Sequence, residues 1–107
     1  MTKIGIIRCA ERAKQCAGYK CFPTVREKTA AMAEYSDVVE LVGFDDCGGC
    51  PIKGPEATVE RAKRLKSAGA EVIHLGNCLV GYCPWAKQLQ EAVATATGLP
   101  VALKVHS

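Results

Sequence analysis

The segment KIGII, Lys3 to Ile7, is apolar from Ile4 onward. A strand with one wet face alternates apolar and polar residues. An unbroken apolar run instead fits a strand covered on both faces, as in a parallel sheet. EVIHLG, Glu71 to Gly76, approaches the same pattern, and VVELVGF, Val38 to Phe44, and VALKV, Val101 to Val105, read as two further strands rich in Val and Leu. Amphipathic stretches lie between these runs. Thr24-Val25-Arg26-Glu27 matches a capping box, in which the Thr hydroxyl and Glu carboxylate satisfy free backbone N–H groups. The helix it opens is expected to reach about Tyr35 and to turn Val25, Thr29 and Met32 inward. Gly54-Pro55 starts a second helix, with Val59, Ala62 and Leu65 on one face and a stop at Gly69. Pro84 opens a third, with Trp85, Leu89, Ala92, Val93 and Ala96 on one stripe, ended by Gly98 and Pro100.

The order β, irregular loop, α, β, α, β, α, β predicts an α/β three-layer sandwich around a four-stranded parallel sheet. The fold is flavodoxin-like or Rossmann-like, with strand order 2-1-3-4. A chain of 107 residues is long enough for one core, so residues 1–107 are expected to form a single domain.

Composition narrows the function. The chain is 49% hydrophobic and 23% charged, with a formal net charge of +3. That excess is too small and scattered to argue for nucleic acid or a membrane surface as partner. The densest basic run, Arg61, Lys63, Arg64 and Lys66, falls on the polar side of the second helix and reads as a solvated face. No aromatic residues interleave with it to make a stacking platform. No apolar run reaches the length of a membrane span, and the first residues read as a strand rather than an export signal, so a cytoplasmic location is expected.

Seven cysteines stand out. An odd count without an export signal favours metal ligands or reactive thiols over a disulfide framework. Their placement is more telling. Cys9 follows the first predicted strand, Cys16 and Cys21 lie in the loop after it, and Cys47 and Cys50 follow the second. Cys78 follows the third, Cys83 precedes the last helix, and His106 follows the fourth strand. In a parallel sheet all carboxyl ends share one edge, the edge where α/β proteins bind ligands. Strands about 4.8 Å apart bring several thiols within reach of one ion. Within Cys47-Gly48-Gly49-Cys50 the glycines permit the tight turn that lets both sulfurs face it. His74, inside the third predicted strand, reads as a core or surface histidine, and Trp85 as core. His106, the penultimate residue, reads as a ligand or as part of a frayed end.

Other cysteine chemistries fit poorly. A low-molecular-weight phosphatase or arsenate reductase loop requires Arg six residues after its Cys. Those positions hold Gln15, Lys53 and Pro84. A thioredoxin-like dithiol would sit at a helix start, whereas Pro51 to Pro55 separate this motif from its helix. No Walker or GxGxxG loop is present.

The stretches IIRCAERAKQCAGYKCF, VGFDDCGGCP and GAEVIHLGNCLVGYCP, with His106 near the end, resemble the CGGC-domain family of small prokaryotic proteins over essentially the whole chain. The resemblance implies metal binding, with zinc usually proposed, and no assigned reaction. Carried onto this chain, the family's cysteine pattern falls on Cys9, Cys16, Cys21, Cys47, Cys50, Cys78 and Cys83. Members commonly end in Gly-Thr-His, where this chain has Lys104-Val105-His106. Two readings follow: a zinc-binding protein, or a redox protein with an iron–sulfur cluster or a dithiol pair. Cys50-Pro51 and Cys83-Pro84 favour a cluster slightly within the second reading, because Cys-Pro recurs in ferredoxin-type ligation.

Overall fold

The computed structural model describes residues 2–9, 21–48, 55–82, 84–103 and 105, with side chains at all of these except 31, 78 and 82. Four strands, β1 (Thr2–Arg8), β2 (Val39–Asp46), β3 (Val72–Leu75) and β4 (Val101–Leu103), form one all-parallel sheet in the order β2-β1-β3-β4. This is the expected α/β architecture and strand order. β1 is central and its residues Ile4 to Ile7 are buried, as an unbroken apolar run requires.

The helices are α1 (Cys21–Glu27), α2 (Glu56–Ser67), α3 (Asn77–Tyr82) and α4 (Ala86–Thr97). One face of the sheet packs Ile7, Ile73 and Leu75 against Ala62 and Leu65 of α2, Leu79 of α3, and Leu89 and Val93 of α4. The other packs Ile4 and Ile6 against Cys21 and Val25 of α1, Met32 of a 3-10 turn (Ala30–Glu34), and Val105. Leu65 fits a slot that two glycines leave open. A Cβ at Gly5 would lie 2.9 Å from Leu65 Cδ1, and one at Gly43 would lie 2.2 Å from Leu65 Cδ2. The register of β1 on β2 shifts between Ile4 and Gly5, so Val42 is the extra residue of a bulge.

Several local expectations are corrected. α1 begins at Cys21, so Thr24 lies inside it and is buried rather than acting as the cap. The helix also stops early, at Glu27. The Lys28 N–H donates to the Val25 carbonyl and the Thr29 N–H to the Thr24 carbonyl, a Schellman closure with Lys28 left-handed at φ 53°. The chain resumes as the 3-10 turn, which leaves Thr29 exposed while Met32 is fully buried. α3 falls where a loop was expected. At six residues it is too short to show a helical period. Trp85 is exposed rather than core, because it precedes α4 with non-helical dihedrals and stands outside the stripe of Leu89, Val93 and Thr97. Ala96, expected on that stripe, is exposed. β4 is described over Val101–Leu103, and Val105, expected in that strand, lies outside it.

Candidate metal centre at the carboxyl edge

β1 and β2 end side by side, with Arg8 paired to Asp46 in register. The next residues are Cys9 and Cys47, and the Cys47 N–H donates to the Arg8 carbonyl at 2.8 Å, continuing the ladder by one step. Side chains alternate along a strand, so both cysteines belong to the Ile7 face. Cys47 is part of that face's buried core and Cys9 is packed against it, partly exposed. Cys47 is held from a second side as well: Thr58 Oγ1, buried on α2, donates to its carbonyl at 2.7 Å.

The turn beyond Cys47 is specified by its neighbours. Asp46 Oδ1 accepts the Gly48 N–H at 2.7 Å, an Asx turn. Gly48 is left-handed at φ 81°. Arg61 Nε lies 3.3 Å from Asp46 Oδ1 and 3.6 Å from Asp45 Oδ1, and Nη1 donates to the Ala57 carbonyl at 3.3 Å. Lys63, Arg64 and Lys66 do form an exposed face, but Arg61 is half-buried and turned toward this edge.

Cys21 belongs to α1, and its side chain is buried in the core of the opposite face, with Ile4, Ile6 and Val25. The sheet therefore lies between Cys21 and the Cys9–Cys47 pair. Nearby, Arg8 stacks over the Phe44 ring at 4.7 Å, and Phe22, which is exposed, packs on Phe44 at 4.9 Å between centroids. Cys78 is the second residue of α3, which starts at the carboxyl end of β3. Asn77, just before it, accepts the Val105 N–H on Oδ1 at 2.8 Å, and the Val105 side chain is fully buried. The chain is thus pinned one residue before His106. Cys16, Cys50, Cys83 and His106 lie outside the described residues. Among the described residues no group of three or more His, Cys, Asp or Glu is arranged to hold a metal ion.

His74 is a core histidine, 2% exposed, and the Tyr35 hydroxyl meets its Nε2 at 2.6 Å with the rings edge to face. Burial first, and the Glu34 carboxylate second, raise the Tyr35 pKa above 10.0. Sequence reasoning missed the roles of Asp46, Arg61 and Asn77. Asp46-Cys47-Gly48 carries an Asx-turn signal, whereas nothing local links Arg61 or Asn77 to residues 15 and 28 positions away.

The fold and this edge define a small doubly wound α/β domain with cysteines at its strand ends. The CGGC domain matches residues 3–106, and the chain belongs to that family, to which metal binding is attributed. An uncharacterised protein of Methanocaldococcus jannaschii is 37% identical to it, across 98% of this chain and 87% of the relative. No solved structure matches it significantly. No helix among the described residues is long and apolar enough to cross a membrane.

Proposed function

We propose that the protein binds zinc through cysteine thiolates at the carboxyl edge of the sheet. The observation that carries this reading is the Cys9–Cys47 pair. Two thiol side chains share one face at adjacent strand ends, locked in register by the Cys47-to-Arg8 hydrogen bond. A two-sulfur half-site suits a thiophilic ion, and tetrahedral zinc needs two further ligands. Cys50, three residues beyond Cys47, and Cys78, at the end of the neighbouring strand, complete the principal site in this reading. Cys16, Cys21 and Cys83 serve a second centre, a cluster or a redox pair. The burial of Cys21 on the other face supports that division. His106 is a further ligand, and the pinning of Val105 supports it over a frayed end.

Bound zinc would hold its thiolates deprotonated and act as a Lewis acid wherever a coordination position stays open. The chain's own part is to place the donors and to shield the Cys47 side of the site from water. The alternative is an iron–sulfur centre. Elemental analysis of untagged protein purified without oxygen, with its visible spectrum, tests both. Near-stoichiometric zinc without colour is expected. Absorption near about 400 nm with iron would establish the cluster. Metal-free protein with every thiol titratable would overturn both readings.

The site is not what holds the fold together. Cys9 and Cys47 follow strand ends, and although Cys47 and Cys21 are buried in the two core clusters, most of both clusters is Ile, Leu, Val, Met and Ala that no metal needs. Chelation of the reduced protein should release exchange protection in residues 9–22, 47–54 and 77–84 and preserve it at Ile6 and Ile73. Global loss of protection would make the metal structural.

A further inference from the structure

Arg61 is out of place as a solvated surface residue. Its guanidinium fills the space that a side chain at position 48 would take. A Cβ there would lie 2.5 Å from Arg61 Nη1 and 2.8 Å from Cζ. Arg61 Nε is shielded from solvent and makes no aligned hydrogen bond, although it lies 3.3 Å from Asp46 Oδ1. What holds it there is charge against charge: two carboxylates, Asp45 and Asp46, from the end of β2. One of those oxygens, Asp46 Oδ1, also accepts the Gly48 N–H. A single carboxylate therefore joins the arginine of α2 to the first glycine of Cys-Gly-Gly-Cys.

We propose that Arg61 is a positioning residue for the metal site: together with Asp46 it clamps the left-handed turn at Gly48 and so sets the direction in which the chain leaves Cys47 toward Cys50. This deepens the zinc reading and rests on it. The chemistry is that of an outer-shell partner. Without the guanidinium, Asp45 and Asp46 repel each other with nothing between them, the Asx turn loses its backing, and the two sulfurs of the motif must find their spacing at the cost of ordering the loop.

The test is zinc affinity by competition with a chromophoric chelator, together with amide exchange at Gly48 in the metal-free chain. Arg61→Ala should weaken zinc by about 10–100-fold and speed Gly48 exchange, while exchange at Ile73 stays unchanged. In a Cys50→Ser background the same substitution should cost little further affinity, because the sulfur it positions is already gone. Gly48→Ala approaches the contact from the other side. It meets both the positive φ and the guanidinium, and should weaken zinc at least as much as Arg61→Ala. Unchanged affinity in Arg61→Ala, or an equal loss with and without Cys50, would overturn the proposal while leaving the zinc reading intact. Unchanged Gly48 exchange would overturn the clamp even in a chain that binds no zinc. Failure of the wild-type chain to take up zinc would overturn the zinc reading itself.

Discussion

Among the described residues, two twelve-residue helices and the short α3 close one face of the sheet, whereas a seven-residue helix and a 3-10 turn lie on the other. On the first face the cover is regular and the contact intimate, with Leu65 seated over Gly5 and Gly43. On the second, two non-glycine residues, Lys28 and Ala30, take left-handed dihedrals to turn the chain, and a buried histidine needs a tyrosine hydroxyl. Both faces bury apolar surface, but the second also carries the left-handed residues and the histidine–tyrosine contact, which cost energy to build. The cysteines follow the same division, with Cys9 and Cys47 at the edge of the regular face and Cys21 under the irregular one.

The largest expected effect lies on the regular face. Leu65→Ala should lower unfolding free energy by about 2–5 kcal/mol, because the slot beneath it has no side chain that can collapse into the void. Val25→Ala, on the irregular face, should cost only about 1.6 kcal/mol, from two methyl groups at ~0.8 kcal/mol each. Urea unfolding of the metal-free chain measures both. Equal losses would erase the distinction between the faces.

The cysteines sharpen it next. Cys9→Ser and Cys47→Ser should each abolish the principal zinc site, whereas Cys21→Ser should leave that zinc in place and lose only a second centre. Metal content per chain separates the two classes. Indistinguishable behaviour of all three would point to one shared cluster reaching around the edge of the sheet.

The Tyr35–His74 contact comes third. Tyr35→Phe should destabilise the fold by about 1–3 kcal/mol, because it withdraws a partner from a buried ring nitrogen. A pH scan adds a signature. The Tyr35 pKa is raised in the fold, so its contribution is fully present below about 10 and is lost as pH rises through the raised value. The wild-type chain should lose stability across that range more steeply than Tyr35→Phe. Parallel curves would mean that the phenol ionises as freely folded as unfolded.

The smallest effect has the opposite sign. Ala30 sits at φ 49°. Ala30→Gly should stabilise the chain by about 0.5–1 kcal/mol, as relief of the left-handed strain outweighs the extra chain entropy of glycine. Thermal unfolding of the metal-free protein would show it, and a lower midpoint would mean that the turn is not strained.

The amino-acid sequence by itself determined the sheet and the family. The unbroken apolar run at Ile4–Ile7, and the run at Val72–Leu75 broken only by His74, call for cover on both sides, so a parallel sheet with helical crossovers follows from burial. Cys9, Cys47 and Cys78 fell just after strands that could be read locally, which was enough to gather them at one edge. Tertiary structure decided what depends on partners distant in sequence. The capping-box reading of Thr24 failed because Thr24 lies within α1 and is buried there, where a cap would have stood at the helix end. Trp85 left the predicted stripe because the helical period began only at Ala86. Cys21, Arg61 and Asn77 took their places by contacts across the sheet, to the end of β2 and to Val105. No local pattern could assign Cys21 to one face, join a helix arginine to Gly48, or tie the last strand's exit to the residue before Cys78.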